Sequence, residues 1–347
     1  MTEVEHYIKT KRIDTCHSIS TCKRIYLDTN FWIRLRDAHG NTNSRDKELL
    51  DKITELVDTN ACILPISEIT FWEILKQSDF NSLRKSASMI DKLSKGISII
   101  SEGERRTLEF LYFISQAQKK DIYQTSELVW TKLSMNILYP ILPQPENLEL
   151  KKSFIDYLSA MSFSNMVAAL EKSKEYEQFG FQDNVDFLNA AKEKYKGENK
   201  SFDQMFLSEL GGYVDLFKES LNQAMDQLFF WESGRYPTAE ENVGTDPAQL
   251  RNIIYNLFKY KKATTEFPTY SILPELFAAV RWNKTRKYSD GNDTMDFLHA
   301  SAALPYFDFF FTERELNTII KHRKLDTTFN CVVESDLNKI LEILNSM

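Results

Sequence analysis

Arg24-Ile25-Tyr26-Leu27-Asp28-Thr29-Asn30-Phe31-Trp32-Ile33-Arg34-Leu35 runs an apolar strand straight into an acid and then into an amphipathic stretch. The acid's position matters, because in open α/β sheets ligands bind in the crevice beyond the carboxyl ends of the strands. Outward from this segment, short apolar runs alternate with helical periodicity. Strands are expected at 24–28, 61–65 and 97–100, and helices at 30–38, 45–58, 68–77, 80–95 and 107–116. The alternation resumes after residue 270, with helices at 271–282, 293–304 and 314–322 and strands at 307–311 and 330–333. Such alternation predicts the α/β class, as a three-layer α/β/α sandwich around a central parallel sheet of about five strands.

Residues 119–270 have a different character. Long helical stretches with acidic and lysine-rich faces, Lys151 to Gln178, Val185 to Tyr195 and Ser208 to Glu232, show no strand-type alternation. Pro140, Pro143, Pro145, Gly234, Pro237 and Gly244 punctuate them. The expected organisation is a polar leader at 1–22, a first α/β part at 23–118, a mainly helical insertion at 119–270 and a second α/β part at 271–347.

A chain of 347 residues with 42% hydrophobic content exceeds one typical domain and suffices for a sizeable core. No run approaches the length of uncharged residues that a membrane helix needs, so the expectation is a cytoplasmic protein without a membrane partner. The four cysteines, Cys16, Cys22, Cys62 and Cys331, are too scattered for a disulfide framework, and Cys16-His17 with Cys22 lacks a second half with zinc spacing. The net charge is −7, of which residues 101–270 carry −6. The flanking segments are therefore nearly neutral although they hold the candidate site acids. Their densest basic patch is Arg281-Trp282-Asn283-Lys284-Thr285-Arg286-Lys287-Tyr288, whose cations and aromatics suit a nucleic-acid backbone and a stacked base, or else a solvated helix end.

Two further acids interrupt apolar runs, Glu73 in Phe71-Trp72-Glu73-Ile74-Leu75 and Asp296 in Asp296-Phe297-Leu298-His299-Ala300. Carboxylates without histidine or thiolate clusters suit hard ions such as Mg²⁺ or Mn²⁺, which take oxygen ligands. Each acid also has a plainer reading. Thr70, Glu73, Lys76 and Gln77 share one helical face that could face solvent, and Asp293 and Asp296 start a helix where Asp is a common cap. Glu68 lies in a first helical turn, where an acid complements the dipole, and His299 suits a core position as well as a site.

Taken in order, LDTN at 27–30, ISEITFWEIL at 66–75, DFLHASAA at 296–303 and FFFTE at 309–313 resemble the PIN-domain nucleases. The resemblance covers roughly residues 23–100 and 271–335 and leaves the helical block aside. It implies that Asp28, Glu73, Asp296 and Glu313 are catalytic, with Asp28, Glu73, Asp296 and Asp293 around Mg²⁺ or Mn²⁺. Thr29, Asn30, His299 and Thr312 would support these acids, and Arg281, Lys284, Arg286, Lys287 and Arg314 would hold substrate. The family usually places Asp or Asn just after the threonine of the later strand, whereas this chain has Glu313 and Arg314.

The function so implied is a metal-dependent endoribonuclease, a toxin or defence effector, hydrolysing RNA to a 5′-phosphate and a 3′-hydroxyl. The acidic helical block would serve a regulatory or inhibitor protein, or homo-oligomerisation. Alternatives are a catalytically degenerate PIN-like module that binds RNA or protein, and a structure-specific DNA nuclease. A phosphatase with an aspartyl nucleophile would want an acid two residues after Asp28, where Asn30 stands.

Overall fold

Ile25, Tyr26 and Leu27 form the buried end of β1 (Lys23–Leu27), apolar without alternation as in a strand covered on both faces. The computed structural model describes residues 2–38, 44–118, 124–173, 185–238, 241, 247–261, 263–288 and 292–347. Gly244 and the end of the helix expected to reach Gln178 lie outside the described residues.

A helix α1 (Glu3–Ser18) precedes β1. After β1 come α2 (Thr29–Ala38), α3 (Arg45–Asp58), β2 (Cys62–Ile63), α4 (Glu68–Leu75), α5 (Phe80–Ser94) and β3 (Ile97–Ile99). Next are α6 (Glu102–Ala117), α7 (Thr125–Leu128), β4 (Trp130–Lys132), α8 (Leu133–Ile137), α9 (Leu148–Ala160) and α10 (Phe163–Ser173). Then follow α11 (Val185–Lys194), α12 (Phe202–Ser233), α13 (Pro247–Asn256), a π-helical turn Leu257–Lys261 and α14 (Pro268–Trp282). The chain ends with α15 (Asn292–Ala303), β5 (Phe309–Phe311), α16 (Arg314–His322), α17 (Leu325–Phe329), β6 (Val332–Glu334) and α18 (Leu337–Asn345).

The parallel sheet has four strands in the order β2-β1-β5-β6, with Ile25 opposite Phe309, Leu27 opposite Phe311 and Phe311 opposite Glu334. The fifth strand expected at 97–100 takes another partner. β3 pairs antiparallel with β4 and meets the end of the β2 segment through a parallel bridge, Ile66 to Ser98. Pro65, with no N–H to give a ladder, falls within the strand expected at 61–65, and β2 ends at Ile63.

The chain divides into two compact units. The sheet-bearing unit comprises Tyr7–Ser101, Ser126–Phe181 and Ala302–Met347, and the helical unit Met1–His6, Glu102–Thr125 and Gln182–Ser301. Residues 126–173 thus pack with the sheet, and 271–288 and 292–301 with the helical unit. In the first, Trp32 and Leu35 of α2, Leu49 and Ile53 of α3, and Ile90 of α5 share a core with Leu27 and Phe311. Asp91 of α5 joins α10 to this core: its carboxylate accepts from the backbone N–H groups of Phe163 (2.8 Å) and Ser164 (2.9 Å). Met161, with extended backbone, ends α9, so the helix expected from 151 onward is two helices.

The polar leader is helical, although α1 has no buried residue. Its polar side chains reach α9: Tyr7 donates to Asp156 (2.7 Å) and Lys11 pairs with the same carboxylate (2.6 Å).

In the helical unit, Phe110 and Leu111 of α6 pack with Leu210 and Val214 of α12 and with Tyr270 of α14. The same helix carries buried charge. Arg106 pairs with Glu102, meets the Tyr213 hydroxyl at 3.1 Å and lies 3.5 Å from the ring centre of Phe217, where α12 kinks. Burial pushes the Tyr213 hydroxyl well above its ordinary pKa. Glu109, 1% exposed, caps α14 from outside: it accepts from Thr269 N (3.1 Å) and Thr269 Oγ1 (2.6 Å). No helix among the described residues is long and apolar enough to cross a membrane.

Candidate functional site

From β1 the sheet grows one way to β2 and the other way to β5 and β6. The strand order therefore reverses between β1 and β5. At such a switch point the connections leave to opposite faces and a crevice opens beyond the carboxyl ends of the two strands. Asp28 follows β1 there, and Thr312 and Glu313 follow β5. The ladder continues one residue past β1, with Asp28 N donating to Phe311 O at 3.2 Å.

Asp28 is 3% exposed, and its Oδ1 accepts from Phe31 N at 3.1 Å, satisfying one of the free amides at the start of α2. Thr29 Oγ1 donates to Glu73 Oε2 of α4 at 2.5 Å, and Asn30 Nδ2 donates to Glu313 Oε1. Three successive residues thus each carry or hold a carboxylate at the amino end of α2. The helix dipole favours negative charge at that end. Glu73 is half-buried rather than on a fully solvated face.

Thr312 is fully buried, its N–H donates to Glu334 O at 3.1 Å, and its Oγ1 has no hydrogen-bond partner among the described residues. A buried hydroxyl left unpaired costs about 1–3 kcal/mol. Thr312→Val, which keeps the shape, is expected to leave stability unchanged or raise it by about 1 kcal/mol in urea unfolding. If the hydroxyl serves the site, activity falls in the same variant.

Glu334 closes the far side at the end of β6. Burial opposes its charge, but the N–H groups of Asp336 (3.0 Å) and Ser335 (2.8 Å) and the Lys321 ammonium (3.4 Å) prevail and hold its carboxyl below the usual range. A depressed carboxyl adds stability that is present above its unfolded-state pKa and lost as pH falls through the folded-state value. Glu334→Gln is therefore expected to lower the urea midpoint at pH 7 and to match the parent once both are acidified below that range.

The remaining expected site residues other than Arg314 lie in the helical unit. Asp293, 4% exposed, pairs with Arg286 at 2.5 Å, Asp296 is half-buried on α15, and His299 is 1% exposed on the same helix. Arg281 pairs with Glu209, whose carboxyl burial pushes up against the pull of that guanidinium. Two of the four cations expected to hold phosphate in this patch are thus committed to acids, while Lys284 and Lys287 are exposed. Arg314 is exposed at the start of α16.

Lys192 gave no sequence signal. Its buried ammonium donates to the carbonyls of Val280 (2.8 Å), Asn283 (2.6 Å) and Arg286, closing the C-terminus of α14 and fixing the basic loop.

Asp28, Glu73 and Glu313 offer oxygen donors alone, a set whose chemistry fits Mg²⁺ or Mn²⁺ rather than zinc. Among the described residues, however, no three His, Cys, Asp or Glu side chains form a group that could hold one metal ion. The chain matches no protein-family model, no curated protein and no solved structure.

Proposed function

We propose that the sheet-bearing unit is a metal-dependent phosphodiesterase of PIN type, an endoribonuclease acting in the crevice between β1 and β5. The observation that carries this reading is the switch-point placement of a buried Asp28 with Glu73 and Glu313 held beside it through Thr29 and Asn30. Asp28, Glu73 and Glu313 are the carboxylates this reading assigns to a divalent ion, which would have to draw them together, because in this structure they form no three-ligand group. When bound, such an ion supplies a polarised phosphoryl oxygen and a hydroxide at neutral pH. Thr29 and Asn30 orient the two glutamates, and the start of α2 stabilises the summed negative charge. RNA as the polymer follows the resemblance, as does a role as toxin or defence effector.

A mixed RNA pool incubated with purified protein and Mg²⁺ or Mn²⁺, with and without EDTA, tests the reading. Cleavage that EDTA abolishes supports it. A DNA pool cut in preference to RNA moves the substrate to a structure-specific DNA nuclease. The sparse metal group favours a second reading, a degenerate PIN-like binding module. No cleavage, with no heat of Mg²⁺ or Mn²⁺ binding, decides for that module.

A further inference from the structure

Helices α2, α3 and α5 of the sheet-bearing unit line an open groove of about 660 Å³, within the size range of small-ligand sites. Five cations line it, Arg36, Lys47, Arg84, Lys85 and Lys92, against one acid, Asp51. This is the opposite sign to a chain whose net charge is −7. Leu50, Met89 and Leu93 make the floor, and Thr54 and Ser88 bring hydroxyls to the walls.

The cations fall into two sets. Arg36 donates to Gln77 Oε1 at 2.5 Å and pairs with Asp37, Lys47 pairs with Asp51, and Arg84 pairs with Glu171. These three are tied into the walls. Lys85 and Lys92 are exposed, and neither has an ion pair among the described residues. Seven residues apart on α5, they stand on one face about 10 Å from each other, with Ser88 between them. Arg36 lies seven residues along α2 from Thr29, so the groove is separated from the crevice by about 10 Å of helix.

We propose that this groove is a phosphate-binding site, in which Lys85 and Lys92 take the anionic oxygens of a ligand whose apolar part rests on Leu50 and Met89. Lysine is suited to this as a mobile point charge with three donors. The phosphates come from a free nucleotide or from a nucleic-acid strand, and the groove is independent of whether the crevice hydrolyses anything.

Binding is measured in EDTA, so that cleavage plays no part, with tripolyphosphate, ATP and a fluorescent ten-nucleotide RNA as separate probes. The expected result is binding that weakens with salt and loses about tenfold or more in affinity in Lys85→Glu/Lys92→Glu. Lys339→Glu, an exposed lysine of the same unit, is expected to change it less than about twofold. ATP or tripolyphosphate binding assigns a free nucleotide, and binding of the RNA alone assigns a strand. If no probe binds, or if the double variant, folded by circular dichroism, binds like the parent, the proposal is overturned.

Discussion

Asp28→Asn is expected to abolish RNA cleavage while leaving the fold intact. The substitution keeps the shape and keeps Oδ1, which accepts from Phe31 N, so the cap of α2 survives. What it removes is the negative charge at the switch point. Changing groups one step behind a metal ligand costs about 10–100-fold, and loss of the central carboxylate should exceed that. Initial cleavage rates with Mn²⁺, beside circular dichroism of the variant, make the check. A variant that still cuts at more than about a tenth of the parental rate would remove Asp28 from the site and the proposed function with it. Glu73→Gln tests the same idea from the other side, since Thr29 Oγ1 can still donate to the amide oxygen while the charge is gone.

The second large effect is on stability. Glu109→Ala is expected to lower the unfolding free energy of the helical unit by about 3 kcal/mol, because it strands two donors of Thr269 in a dry interior. Glu109→Gln, which restores an acceptor without charge, should recover part of it. Thermal melts followed by far-ultraviolet circular dichroism compare the variants. Because the chain has two units, the transition to follow is the one that moves. Equal midpoints for Glu109→Ala and the parent would mean that water replaces the carboxylate at no cost.

The alternation that exposes β1, β5 and β6 in the sequence is the clearest part of the fold to read. Each strand is a short apolar run bounded by an acid, a proline or a polar turn, and burial on both faces requires such a run. Asp28 and Glu313 are legible for the same reason, as polar residues where apolar strands stop. What pattern reading cannot supply is which strands become neighbours. The run at 97–100 carries no sign that it pairs with Trp130-Thr131-Lys132, a three-residue strand too short to show a period. Helix α1 escapes detection because it buries no residue and so shows no apolar stripe. The pairing of Arg281 with Glu209 joins residues far apart in sequence, so a patch that reads as free positive charge is in part neutralised.

Strand β1 ends at residue 27 and its partner β5 begins at residue 309, so the centre of the sheet waits for almost the whole chain. During synthesis, Ile25, Tyr26 and Leu27 emerge early with β2 available on one edge and nothing on the other. An apolar strand with an open edge is a template for joining a neighbouring chain. A ribosome that stalls before codon 309, or a proteolytic cut that removes the last strands, leaves that edge uncovered. Such fragments should be recovered with chaperones or in inclusion bodies, and the full chain should fold slowly because this contact closes so late.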